Sequence, residues 1–181
     1  DVIRSESSKS GKKETGGLLL GEKKLINNKY VIIVNEATGP GSDSKVGQHY
    51  YITDRKYMQS QLRSFLNQKG LVYVGEWHKH PAGMTSPSLQ DLYTMKEIVS
   101  EDITKDILTI ISTEDDTTVP DESIVQYNCF YFQKGMKSFT KIDHKILANN
   151  VVDKNIENKG QINKINLDIE YLDMMFKKKL K

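Results

Sequence analysis

Apolar residues along this chain gather into short runs separated by polar and glycine-containing breaks, a spacing that predicts strands alternating with helices. Residues 18–25 and 30–37 predict two strands joined through Asn27-Asn28-Lys29, residue types that suit a hairpin turn. A flexible glycine-containing loop follows over 38–47, then a strand over 49–53. Asp54 is placed to cap a helix over 55–68 that buries Tyr57, Leu62, Phe65 and Leu66 and ends at Gly70. Leu71, Val72, Tyr73 and Val74 predict a strand arriving from a buried sheet. The segment from Pro81 to Pro87 cannot continue a central strand, and beyond it the spacing of Leu92, Met95, Ile98 and Val99 suits a helix. Residues 107–111 are a continuous apolar run, as in a buried strand, and 114–122 read as an acidic, exposed loop. A hairpin over 123–132 and 136–142 turns at Gln133-Lys134-Gly135. The expected class is α/β, with a central mixed sheet and flanking helices.

The stretch after Val74 carries the chemistry. If the strand continues through His80, both imidazoles of His78 and His80 lie on one face, with Trp77 and Lys79 on the other. A tetrahedral catalytic zinc takes three protein ligands and leaves one position open, so a third group is needed, commonly a carboxylate. Asp91 is the preferred candidate, in the first turn of the helix, where the helix dipole favours negative charge. Glu76, on the strand face of the histidines, is the other candidate. Ser88-x-x-Asp91 also reads as an ordinary capping box, and a lone His-x-His also fits surface or core histidines. Upstream, Glu14 precedes Thr15-Gly16-Gly17 and an apolar strand, where a carboxylate could take a proton from a metal-activated water; the same position suits a turn residue.

Together these residues resemble the signature of the JAMM metalloproteases of the JAB/MPN family. Glu14 in Glu-Thr-Gly-Gly, then His78-x-His80-Pro81, six residues, and Ser88-x-x-Asp91 match in order, and 64 residues separate Glu14 from His78. Two further stretches, Ala37-Thr38-Gly39-Pro40-Gly41 and Gly75-Glu76-Trp77-His78, look most like prokaryotic JAB proteins encoded beside ubiquitin-like conjugation enzymes in bacterial antiphage operons of the CBASS type and in integrative elements. The resemblance spans residues 14–113. It implies a cytidine-deaminase-like sheet curved around a helix and a zinc hydrolase of isopeptide or peptide bonds. By that likeness His78, His80 and Asp91 hold Zn2+, Glu14 is the general acid/base, and Ser88 donates to the oxyanion of the tetrahedral intermediate. The implied substrate is the C-terminal tail of a ubiquitin-like protein or of a conjugated target protein, with activating- and conjugating-enzyme-like proteins as pathway partners. Such a tail could add as a strand to a sheet edge near residues 38–51 or 81–87. A sulfur-carrier protein's C-terminal peptide bond is the alternative substrate. A non-catalytic MPN-like scaffold is the alternative class, although such scaffolds lack motif residues and all five are present here.

Composition narrows the remaining choices. A chain of 181 residues, 37% hydrophobic, fits one domain with a substantial core. Its formal charge of +2 supplies no basic field, and no basic, aromatic-interleaved patch suggests nucleic acid. No apolar run approaches the roughly 18 residues of a membrane span. The glycine-containing loop lacks the Gly-Lys-Ser/Thr ending of a phosphate-binding loop. The single Cys129 cannot form an internal disulfide, fits a reducing cytoplasm, and reads as a small buried thiol rather than a nucleophile. His49 and His144 read as non-ligands. The expected organisation is the end of a truncated helix and a lead-in over 1–13, the catalytic domain over 14–143 and a C-terminal extension over 144–181. The start, without Met or an apolar signal region, suggests a fragment of a longer polypeptide. In the extension, 152–166 read as a linker, and 165–176 as a helix in preference to a strand.

Overall fold

The computed structural model describes residues 2–100, 104–114 and 125–147. Helix α1 spans Val2–Ser10, β1 Gly16–Ile26, β2 Lys29–Ala37, β3 Lys45–Val46, β4 Tyr51–Ile52 and α2 Arg55–Lys69. Strand β5 runs over Val72–Lys79, α3 over Leu89–Ser100, β6 over Asp106–Glu114, β7 over Val125–Gln133 and β8 over Thr140–Lys141. A six-stranded sheet in the order β2-β1-β5-β6-β7-β8 forms the centre, and β3 pairs with β4 separately. Only β5 and β6 run parallel among its pairs, with α3 as their crossover, so the sheet is mixed and the architecture is α/β.

Both faces of the sheet are covered. On one, Leu18, Leu20, Tyr73, Ile107 and Phe132 pack with Met58 and Leu62 of α2 and Met95, Ile98 and Val99 of α3. On the other, Leu19, Val74, Trp77, Leu108, Ile110 and Cys129 pack with Ile3 of α1. Strands buried on both faces read as continuous apolar runs, which is the pattern of residues 18–20 and 107–111.

Local chemistry explains the element ends. Asn27 and Asn28 take positive φ of 49° and 59°, the left-handed pair that a two-residue hairpin needs and that asparagine tolerates. The Asp54 carboxylate accepts from the Tyr57 amide, and Gly70, at φ 65°, closes α2 in the left-handed conformation. Met58 is the most deeply buried residue of α2, on the face expected to hold Leu62 and Phe65.

The expected elements are corrected at three places. The loop over 38–47 contains β3, and the strand over 49–53 shrinks to β4, because two short segments pair only with each other. The strand expected over 136–142 is reduced to β8, where Thr140 and Lys141 pair with Tyr131 and Phe130. Helix α1, Val2–Ser10, fills most of the stretch over 1–13 expected to hold the end of a helix and a lead-in. Of the loop expected over 114–122 only Glu114 is described, as the last residue of β6, and the linker over 152–166 and the helix over 165–176 lie outside the described residues. No helix among the described residues is long and apolar enough to cross a membrane.

Two features of β1 and β5 set up the site. Pairing of Leu20 with Tyr73 and Leu19 with Gly75 leaves Val74 as an extra residue, a bulge that inverts the phase of β5 beyond it. Trp77 thereby joins Val74 on the α1 side, and Tyr73 shares the opposite face with Glu76 and His78. The second feature is the absence of side chains at Gly16 and Gly17. A Cβ at Gly16 would lie 2.6 Å from the Trp77 carbonyl oxygen and 3.1 Å from the His78 Cβ, and one at Gly17 would overlap the Thr38 carbonyl oxygen. That oxygen is fixed, because it accepts from Trp77 Nε1 at 2.9 Å while Thr38 N donates to the Leu18 oxygen at 3.0 Å. Gly17→Ala therefore forces β1 away from the fixed Thr38 backbone, and its chemical-denaturation midpoint should fall by the equivalent of about 1–3 kcal/mol.

Candidate metal centre

The site lies at the carboxyl end of β5, where the chain leaves a parallel strand for its crossover helix, the usual position for ligand sites in sheets with parallel strands. His78 is in β5; His80, just beyond it, keeps an extended backbone, with φ −97° and ψ 115°, before a single 3-10 turn over Pro81–Gly83. The alternation of β5 is therefore preserved, and both imidazoles project to one side. Their Nε2 atoms are 2.9 Å apart.

Asp91 joins them from the first turn of α3. Its Oδ1 is 3.2 Å from His78 Nε2 and its Oδ2 is 3.4 Å from His80 Nε2. The two imidazoles thus face different oxygens of one carboxylate, and one donor atom from each of the three residues lies within 4.8 Å of the others, a donor set of the kind that holds zinc. The described residues contain this one group of three potential metal ligands, His78, His80 and Asp91. Glu76, the other carboxylate candidate, accepts instead from the Tyr73 hydroxyl at 3.4 Å.

The capping reading of Ser88-x-x-Asp91 holds at the same time. Ser88 N donates to Asp91 Oδ2 at 2.6 Å, and Asp91 N donates to Ser88 Oγ at 3.2 Å, the reciprocal pair of a capping box. One carboxylate thus closes the helix end and faces the imidazoles, which fixes its direction. The Ser88 hydroxyl accepts from the Asp91 amide, and its own hydrogen favours the charged Asp91 carboxylate. On the far side of His80, Nδ1 lies 3.0 Å from the Met84 carbonyl oxygen. An acceptor there places the ring proton on Nδ1 and leaves the Nε2 lone pair towards Asp91 and His78.

The electrostatics agree with this geometry. Burial opposes the charge of Asp91, but the hydrogen bonds and charges of His78 and His80, with the Ser88 bond, hold its carboxyl far below the ordinary carboxylate range. Burial likewise opposes a charged His80, yet Asp91 outweighs it, so the ring keeps its proton to higher pH than a free histidine. Such a cluster of mutually dependent titrating groups is what a metal ion would reorganise on binding.

Glu14 lies within electrostatic reach of the same cluster. Its amide donates to the Gly47 oxygen at 2.7 Å, which ties it to the loop just after β3. Burial raises the Glu14 pKa, the positive fields of His78 and His80 lower it, Asp91 raises it and His49 lowers it, with a net upward shift. The structure therefore brings Glu14 into electrostatic contact with all three of the clustered residues, and His49, set aside as a ligand, contributes to the field. Cys129 is on the opposite sheet face, where burial pushes its thiol up to about 11.

Several contributors had no sequence signal. Thr38 fixes Trp77 and Leu18; the Tyr51 hydroxyl donates to the Gly16 oxygen at 3.0 Å; the Met84 carbonyl orients His80. Each acts through a backbone or hydroxyl group whose partner is distant in sequence or in an irregular turn.

Comparison with known proteins accords with the arrangement. The family model described as prokaryotic homologs of the JAB domain matches residues 1–125. This chain belongs to the prokaryotic JAB family. A curated relative named CD-NTase/cGAS isopeptidase, from Enterobacter hormaechei subsp. hoffmannii (strain UCI 50), is 35% identical over 96 residues, 53% of this chain and 52% of that protein. The chain thus spans about half the length of the curated relative it matches. The solution structure of protein DSY2949 from Desulfitobacterium hafniense superposes with a TM-score of 0.54 over 78% of this chain and 83% of that one, at 16% identity, a likeness of fold. Family and fold accordingly identify the curled sheet with its flanking helices as a JAB/MPN domain.

Proposed function

We propose that this JAB domain is a zinc-dependent isopeptidase. It cleaves the bond after the C-terminus of a ubiquitin-like protein, or of a protein ligated through its C-terminus, in a cytoplasmic bacterial conjugation pathway of the antiphage type. The observation that carries the reading is the convergence of His78, His80 and Asp91, with one donor atom of each within 4.8 Å of the others, in the field of the Glu14 carboxylate. The name of the curated relative supports the bond type.

In this reading His78 and His80 offer Nε2 and Asp91 a carboxylate oxygen to zinc. Bound there, zinc supplies Lewis acidity, lowering the pKa of water to about 7 and polarising a carbonyl. Glu14 takes a proton from the attacking water and returns it to the leaving nitrogen, a role for which a carboxyl raised above its ordinary pKa is suited. Ser88 Oγ turns its hydrogen from Asp91 to the carbonyl oxygen as negative charge develops there. Asp91 and the Ser88 amide hold that hydroxyl in place through the capping box. No protein nucleophile is used, in accord with the remote, protonated Cys129.

The surroundings suit a protein substrate. Met84, Leu89 and Tyr93 are exposed by 49%, 76% and 63% beside the site, an apolar rim that an extended tail could cover. The loop over 38–51 or that over 81–87 would hold the tail by strand addition.

The test is cleavage of a ubiquitin-like protein fused through its C-terminus to a reporter. The zinc-loaded chain should cleave at the junction, chelation should abolish cleavage, and added zinc should restore it. Cleavage that persists in chain shown to be metal-free would overturn the reading. Ser88→Ala should lower kcat by about 10²–10³. It should also cost about 1 kcal/mol of stability from the lost cap, measured by denaturant unfolding.

A further inference from the structure

Lys79 lies between the two histidines in sequence but on the opposite face of β5, with only 2% of its surface exposed. None of the chemistry above uses it. Its Nζ donates to the Ser7 oxygen at 2.8 Å, the Gly11 oxygen at 2.6 Å and Glu114 Oε2 at 2.6 Å, so all three hydrogens of the ammonium group have acceptors. Two of these acceptors are carbonyls at the C-terminal end of α1 and just past it, where helical carbonyls lack partners and a positive charge is favoured.

The backbone of the same residue grips the next part of the chain. Lys79 N donates to the Thr15 oxygen at 2.8 Å. Lys79 therefore holds the chain three residues before Glu14 through its side chain and one residue after Glu14 through its amide. The adjoining contacts reinforce the same joint: Ser7 Oγ is 2.9 Å from Ser112 Oγ, and the Ser112 oxygen accepts from His80 N at 3.0 Å. Besides the pairing of β1 with β5, the segment carrying Glu14 is thus fastened to the strand carrying the histidines through both the side chain and the backbone of Lys79.

We propose that Lys79 is a positioning residue for Glu14: by tying Gly11 and Thr15 to the histidine-bearing strand it sets where the Glu14 carboxylate stands over the site. The catalytic part of this inference rests on the isopeptidase reading; the positional part does not. Displacement of a reacting group by about 1 Å can lower a rate by about a hundredfold. Because the Lys79 side chain points away from the imidazoles, its loss should shift Glu14 while leaving the ligand set intact.

The test compares Lys79→Met and Lys79→Arg with wild type in amide hydrogen exchange, zinc content and steady-state kinetics. In Lys79→Met, exchange across residues 11–16 should accelerate at least about tenfold while 72–80 stay protected and zinc is retained. On a cleavable fusion, kcat should fall about ten- to a hundredfold with KM unchanged, and Lys79→Met should add no further loss in a Glu14→Gln background. Lys79→Arg, which keeps the charge and donors, should recover part of the rate. If Lys79→Met does not fold, Glu114→Gln takes its place and should loosen residues 11–16 by a smaller factor. Unchanged exchange over 11–16 in a folded variant would overturn the proposal, as would equal losses with and without the Glu14 carboxylate. Exchange and zinc content need no substrate, so a wrong substrate class would silence only the kinetic arm.

Discussion

Glu14→Gln should abolish cleavage while leaving zinc content and the unfolding midpoint unchanged. The side chain is half-buried beside the cluster, and its amide rather than its carboxylate makes the bond to Gly47 that places it. Glutamine keeps that bond, the volume and a hydrogen-bonding oxygen, and loses only the capacity to accept a proton at neutral pH. General base catalysis of this kind contributes about 10²–10⁴ in rate, so the residual kcat should fall by that factor, with KM little changed. Burial, the leading contribution to the raised pKa of Glu14, leaves a carboxyl able both to take and to return a proton. The variant thus separates proton transfer from metal binding. Parallel loss of zinc would instead mean that Glu14 is a fourth ligand.

His80→Ala should have the opposite signature, with zinc and activity lost together. His80 is the most enclosed of the three clustered residues, 3% exposed at its side chain, oriented on one side by Met84 and facing Asp91 on the other. Loss of a supporting hydrogen bond to a ligand already lowers metal affinity by about 10–100-fold, and removal of the ligand itself should exceed that. The pH dependence follows from the same contacts. Although burial disfavours the charged ring, Asp91 raises the His80 pKa above its usual value, so a proton competes with metal at higher pH than for a free imidazole. Zinc affinity in wild type should therefore decline as the pH falls through this raised range, and equilibrium dialysis between pH 8 and pH 5 would record it.

How much of this was readable from the sequence depends on how local each constraint is. The convergence of His78, His80 and Asp91 was readable because it rests on short spacings: imidazoles two positions apart on a strand, and cap and carboxylate three positions apart in a helical turn. Asp91 also satisfies the capping box, so the two competing readings of Ser88-x-x-Asp91 describe the same hydrogen bonds. The hairpin at Asn27 and the caps of α2 were legible for the same reason. By contrast, the bulge at Val74 left no mark, because β5 is buried on both faces and Val72, Tyr73 and Val74 are apolar whichever way they point. Lys79 was equally silent: alternation assigned it a face, but α1, which covers that face, lies some 70 positions upstream. Strand β3 was hidden in a glycine-containing loop because a two-residue strand is too short to show a period.

The glycines show how far a motif can be explained physically. Glu14 is followed by Gly16 and Gly17 because β1 must approach the Trp77–His78 backbone and the Thr38 carbonyl too closely for any side chain. That approach brings the strand after Glu14 against the strand that ends in the histidines.

The most direct test of the account is the metal content of the purified, folded chain measured beside that of His80→Ala. The account predicts about one zinc per wild-type chain and a marked loss in the variant. A wild-type chain that is folded in zinc-containing buffer and still binds none would contradict it.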